Sequence, residues 1–179
     1  MKYFIGIVPP EAVYHKLLDI QRQHGDNRLE PHITLRPPVI PSAEQDWLKV
    51  VEQQAAAVKP FDVWLPGTGS FGKRVMFVRV ESAGLLKLHE ELIPALMAFE
   101  PVMHKKEISD GFHPHLTLGR AWCGFTADDF ASMKRMAEAY LFEQDVRFKA
   151  AEIRIYYKPD PHGRYQTYKD VPLMGDLTA

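Results

Sequence analysis

Two rhythms of apolar and polar positions alternate along this chain, and they change places in a fixed order. Residues 3–8 form a nearly continuous apolar run, as in a strand buried on both faces, and Pro9-Pro10 stops it. From Glu11 onward Val13, Leu17, Leu18 and Ile20 recur at helical spacing, with Gly25 as a C-terminal stop. His32-Ile33-Thr34-Leu35 returns to strand alternation and is closed by Pro37-Pro38. Ser42 with Gln45 reads as a capping box for a helix that runs to about Val58. Residues 61–65 and 75–80 predict strands on either side of the turn Pro66-Gly67-Thr68-Gly69.

The same order then recurs. Leu85, Leu88, Leu92 and Leu96 predict a helix over residues 82–99, with Pro94 as a kink or early stop. A polar loop rich in His, Lys and Glu, residues 104–110, leads to a second strand, His115-Leu116-Thr117-Leu118. Thr126, with Asp129 three positions on, predicts a capped helix to about Leu141. Strands follow at residues 146–149, 152–157 and 165–173, the last two separated by the turn Pro159-Asp160-Pro161-His162-Gly163. Each half therefore reads strand, helix, His-containing strand, helix, strand, strand. This pattern predicts one domain, residues 1–179, of α+β class. Two duplicated, pseudo-symmetric lobes would each carry a mostly antiparallel sheet covered by helices, with the active-site groove between the two sheets.

The repeated tetrapeptide His-X-Thr-Leu follows a proline both times, Pro31 and Pro114. With a side-chain period of two, His and Thr of each copy share one face, and Ile33 or Leu116 and the closing Leu share the other. Each copy thus has an apolar back and a front of one imidazole and one hydroxyl. Opening a cyclic phosphodiester needs one group to take a proton from water and one to protonate the departing oxygen. Histidine suits both tasks at neutral pH. His32 and His115 are the expected acid–base pair, and Thr34 and Thr117 the expected donors to phosphate oxygens. Arg36 shares the parity of His32 and Thr34 and is a candidate to extend that anion-binding face, whereas Arg120 has the opposite parity and reads as structural. His89, His104 and His113 bring no cluster of acidic ligands with them, so neither a metal nor another cofactor is expected.

Charge narrows the partners. Lys plus Arg number 22 against 23 Asp plus Glu, so contact with nucleic acid must come from a local basic patch. This argues against long DNA and leaves a short RNA end open. Cys123 is the single cysteine, which rules out an internal disulfide. The apolar run at the N-terminus is too short for a signal sequence, and no stretch approaches the roughly 18–20 apolar residues of a membrane span. A cytoplasmic protein, monomeric and without a membrane partner, is the expectation.

The paired motifs, and the segment Phe112-His113-Pro114-His115-Leu116-Thr117-Leu118-Gly119-Arg120, resemble the two-histidine phosphoesterase superfamily. The resemblance is to its bacterial 2′-5′ RNA ligase-like branch, also described as RNA 2′,3′-cyclic phosphodiesterases, and covers nearly the whole chain. It implies a bilobal α+β fold, metal-independent hydrolysis of 2′,3′-cyclic phosphate ends of RNA or small cyclic nucleotides, and in some members 2′-5′ joining of RNA. On this sequence it makes His32 and His115 the acid–base pair and Thr34 and Thr117 the phosphate binders. It also points to Tyr165, beside the final hairpin, as an aromatic contact for substrate. Relatives often carry Arg before the proline of the second motif, where this chain has His113. The alternatives are ligation in the same groove and a catalytically silent RNA- or nucleotide-binding module.

Overall fold

The computed structural model describes residues 1–27, 29–100 and 111–175; the predicted loop at residues 104–110 lies outside them. In chain order the elements are β1 (Lys2–Ile7), α1 (Glu11–Arg22), β2 (Ile33–Val39), α2 (Glu44–Ala57), β3 (Phe61–Trp64), β4 (Thr68–Phe71), β5 (Val75–Arg79), α3 (Ala83–Leu96), β6 (His115–Arg120), α4 (Ala127–Gln144), β7 (Arg147–Ala150), β8 (Glu152–Lys158) and β9 (Gln166–Pro172). The fold is α+β, and every strand pairing among the described residues is antiparallel.

The strands of the two halves join into a single seven-stranded sheet of order β4-β5-β6-β2-β1-β8-β9, and β3 pairs with β7 in a separate two-stranded sheet. The sequence pattern suggests one sheet for each half; the structure joins the His-Thr strands of both halves in one sheet, with a seam. Left apart, β2 and β6 would each present an edge of unpaired N–H and C=O groups. They meet instead at one position, Ile33 opposite Leu116, two residues with no exposed surface. Outward from that seam the order begins alike on both sides, a His-Thr strand and then the strand before it in its own half (β1 or β5); β4 then closes one side, and β8 and β9 the other. The helices cross over, with α1 against β6 and α3 against β2, while α1 pairs with α4 and α2 with α3.

One face of the sheet is the core side. Ile5, Ile33, Leu35, Leu116, Leu118 and Ile155 are fully buried there with Leu17 of α1, Trp47 of α2, Leu88 of α3 and Ala137 of α4. The histidines lie on the opposite face. Local signals behave unevenly. Thr126 and Asp129 form the expected capping box of α4, and Ser82 caps α3 by accepting from the Leu85 N–H. Ser42 does not cap α2: its N–H and Oγ both donate to Phe99 O, and the helix begins after Ala43. The glycine-rich segment read as a turn includes the start of β4, because Gly69 lies opposite Phe77 so closely that a Cβ would come within 2.6 Å of its ring.

Both His-Thr strands carry a β-bulge at the same place. On β2, Thr34 pairs with Gly6 and Arg36 with Ile5, so Leu35 is an extra residue. On β6, Thr117 pairs with Phe77 and Gly119 with Met76, so Leu118 is the extra residue. A bulged residue loses its ladder partner and reverses the alternation beyond it. The orphaned carbonyls are satisfied alike in the two halves: Gln21 Nε2 of α1 donates to Leu118 O at 3.1 Å, and His89 Nδ1 of α3 donates to Leu35 O at 3.0 Å.

Candidate active site

The site is assembled at the seam. On either side of the Ile33–Leu116 pair, Thr34 stands opposite Gly6 and Thr117 opposite Phe77, and Gly6 and Phe77 in turn lie against the His32 and His115 rings. Four polar side chains from two sequence-distant motifs therefore share the open face of the sheet. The two strands pair at that single position rather than in a continuous ladder, and we call the face that carries the histidines the groove side.

Each imidazole is fixed the same way. His32 Nδ1 lies 2.7 Å from Glu30 O, and His115 Nδ1 lies 2.8 Å from His113 O, in both cases across the intervening proline. A carbonyl only accepts, so Nδ1 carries the hydrogen and donates it. Nε2 is then the bare, basic nitrogen of the neutral ring, with no protein partner among the described residues for either histidine. The proline contributes by favouring extended backbone in the residue before it, which turns that carbonyl toward the ring.

Aromatic rings wall both histidines. Phe4 and Tyr156 stack with centroids 4.2 Å apart, and the His32 ring sits 5.2 Å from Phe4 and 5.7 Å from Tyr156. In the other half His115 sits 5.0 Å from Phe71 and 5.1 Å from Phe77. Gly6 belongs to the same wall, because a Cβ there would lie 3.0 Å from Ile33 O and 3.3 Å from the His32 ring. The Tyr156 hydroxyl donates to Glu30, which also receives Arg154 at 2.9 Å, and Arg154 in turn holds Asp170. Glu30 thus ties down the ring stack with its carboxylate and His32 with its carbonyl.

The model of the 2′-5′ RNA ligase superfamily matches residues 9–160. The chain belongs to that superfamily. Two Geobacillus proteins are similar in sequence: a candidate phosphoesterase of G. kaustophilus is 28% identical over 155 residues, 83% of this chain and 86% of the relative. Its counterpart in G. thermodenitrificans is 26% identical over the same shares. Among solved structures, TT0787 of Thermus thermophilus superposes with a TM-score of 0.68 at 21% identity, over 98% of this chain and all of that one. E. coli LigT, crystallised with 3′-AMP, gives a TM-score of 0.60 at 19% identity over 96% and 97%. These likenesses agree with the two-histidine phosphoesterase resemblance and with an enzyme of the phosphoesterase class.

Within this superfamily member the bulges decide which cations reach the groove. Arg36 does not extend the anion-binding face. The Leu35 bulge turns it to the core side, where it is 3% exposed and its guanidinium forks onto Glu100 with contacts of 3.1 and 2.6 Å. Trp47 Nε1 donates to the same carboxylate at 3.1 Å. The bulge at Leu118 does the reverse for Arg120: it places a residue of opposite parity on the groove side, where its charge bears on both His32 and His115. Parity counted along the sequence misses this, and no sequence signal marks the bulges except that both follow the same tetrapeptide. Tyr165 is beside the site, edge-on to Phe4 at 4.8 Å. Among the described residues no group of three or more His, Cys, Asp or Glu is placed to hold a metal ion, and His104 lies outside them. His89 is stacked on Phe112 at 3.6 Å, away from the groove. No helix among the described residues is long and apolar enough to cross a membrane.

Burial sets the proton affinities. It pushes His32 down to about 4, opposed by its bond to the Glu30 carbonyl and reinforced by Arg120. His115, less enclosed, is lowered for the same first reason, with Arg120 adding to the effect. At neutral pH the groove therefore presents two neutral imidazoles beside the Arg120 guanidinium. Such a site attracts an anion through Arg120, and the anion's charge in turn favours a proton on one imidazole.

Proposed function

We propose that this protein is a phosphodiesterase that opens 2′,3′-cyclic phosphate ends of RNA or small nucleotides without a metal, using His32 and His115 as acid and base. The observation that carries this reading is the matched pair of imidazoles, each with Nδ1 held by the carbonyl two residues back and Nε2 left to a ligand. In the reaction one neutral Nε2 takes a proton from water as its oxygen bonds to phosphorus. The other histidine, protonated, gives its proton to the ribose oxygen as the P–O bond breaks, and a phosphomonoester results. Each step of this kind contributes roughly 10²–10⁴-fold. Thr34, Thr117 and Arg120 are the groups that would meet the non-bridging oxygens as charge builds, and Tyr165 a contact for the sugar or base. That E. coli LigT, of the same fold, has been crystallised with phosphate and with 3′-AMP supports a phosphate-bearing nucleotide as the ligand.

Turnover of a 2′,3′-cyclic nucleotide in the presence of EDTA tests the reading. His32→Ala and His115→Ala should each lower kcat at least about 100-fold, while far-UV circular dichroism stays that of the parent. Full activity in both variants would overturn it. The superfamily match also favours a second reading, 2′-5′ joining, in which a 5′-hydroxyl takes the place of water as the nucleophile and the same two proton transfers apply. Accumulation of 2′-5′-linked product from a cyclic phosphate end and a 5′-hydroxyl end separates the two.

A further inference from the structure

Beside the histidine pair the protein has a cavity of about 630 Å³, within the size range of small-molecule sites. Its lining includes Arg120, Lys158, His162 and Arg164 together with the rings of Trp122 and Tyr165, and among the described residues no carboxylate lines it. In a chain of formal charge −1, the charged groups Arg120, Lys158 and Arg164 gathered along one cavity without a lining acid are a local basic patch of the kind that a nearly neutral protein needs to hold a polyanion. Trp122 is 67% exposed, on the turn that directly follows β6, so its indole contributes little to the core. An open indole next to cations suits a base stacked above a phosphate backbone.

Two lining residues connect the cavity to the histidine pair. Arg120 lines it and bears on both histidines. Tyr165 lines it too; the Lys158 ammonium lies 5.7 Å from its ring centroid, and the Phe4 ring, itself against His32, meets it edge to face. Arg164 is steadied by an ion pair with Asp26. Asn27 closes the floor at 4% exposed, and its Oδ1 has no hydrogen-bond partner among the described residues.

We propose that this cavity is a second nucleotide subsite, in which Trp122 stacks on the base and Lys158 and Arg164 hold the phosphate of the nucleotide next to the cyclic end. It makes an RNA strand a better substrate than a cyclic mononucleotide. The inference rests on the phosphodiesterase reading for its substrate, but its residues lie outside the acid–base machinery.

The experiment compares kcat/KM for a 2′,3′-cyclic mononucleotide and for a tetranucleotide ending in a 2′,3′-cyclic phosphate, in the parent and in Trp122→Ala and Lys158→Ala. The parent should favour the tetranucleotide by about tenfold or more. Each variant should lose roughly 5- to 100-fold on the tetranucleotide and stay within about twofold on the mononucleotide. Lys158→Ala should also flatten the salt dependence of tetranucleotide binding by about one unit of slope. Equal losses on both substrates, or no preference in the parent, would overturn the subsite. Calorimetric binding of a tetranucleotide with a 3′-phosphate, which requires no turnover, separates the two ideas. Binding that both variants weaken, in a protein that turns over neither substrate, keeps the subsite and sinks the phosphodiesterase reading. Normal turnover with binding unmoved by either variant does the opposite.

Discussion

Replacing Arg36 by methionine tests whether this arginine serves the fold or the groove. Its side chain is 4% exposed and that of its partner Glu100 is fully buried. The replacement strips the guanidinium from a buried carboxylate and leaves Trp47 Nε1 as its side-chain donor. Breaking a buried ion pair from one side costs roughly 3–5 kcal/mol, because the remaining charge is neither solvated nor paired. For a domain of this size that corresponds to a fall in Tm of about 6–20 °C. Arg36→Met with Glu100→Gln removes the stranded charge while keeping an amide oxygen for Trp47, and should recover more than half of the loss. Urea unfolding followed by tryptophan fluorescence measures all three proteins, and KM for a cyclic nucleotide is taken in parallel on folded material. A single variant within about 1 kcal/mol of the parent, or one that raises KM with stability intact, would refute the core-side placement. It would also restore Arg36 to the anion-binding face that simple alternation predicts.

Two further outcomes follow from the same geometry. Gln21→Leu keeps the bulk of the side chain but leaves Leu118 O of the bulge without its donor, and an unsatisfied buried carbonyl costs roughly 1–3 kcal/mol in urea unfolding; an unchanged midpoint would mean that the bulge does not depend on α1. His32 has a folded pKa of about 4 against an ordinary 6.5, so in that window the unfolded chain binds more protons than the folded one. Its contribution to stability is complete above pH 6.5 and is lost as pH falls toward 4, about 3 kcal/mol in all. His32→Gln should flatten the pH dependence of unfolding across that window, and an unaltered slope would show that the ring is not held neutral by burial.

Much of the fold was legible because its signals are local. Hydrophobic period, proline stops and the Thr126–Asp129 capping box act within a few residues, and the elements they predict are present. The Ser42 cap fails because Phe99 O, distant in sequence, holds Ser42 N and Oγ outside the helix, which starts one residue later, after Ala43. The joined sheet was not legible either, since strand pairing across half the chain depends on which edges meet, and a tetrapeptide carries no label for its neighbour. For the candidate site, His32, Thr34, His115 and Thr117 could be read as a set because alternation holds within each tetrapeptide, and the structure brings all four to one face.

Alternation fails one residue later, and the failure has a physical logic. Both strands must send His and Thr to the groove and then return to a ladder with β1 or β5, and a single extra leucine does this in each. The cost is an orphaned carbonyl beneath the sheet, which a buried side chain from the facing helix removes in each half: Gln21 in one, His89 in the other. The two halves then use the shifted position differently. In β2 it is Arg36, locked into the core by Glu100. In β6 it is Gly119, and the reversal delivers the next residue, Arg120, to the groove. A duplicated backbone device thus gives one structural arginine and one arginine at the site. The asymmetry sets Arg120 against two neutral imidazoles, an arrangement that suits the proposed phosphate ligand and leaves the two histidines free to differ in their protons.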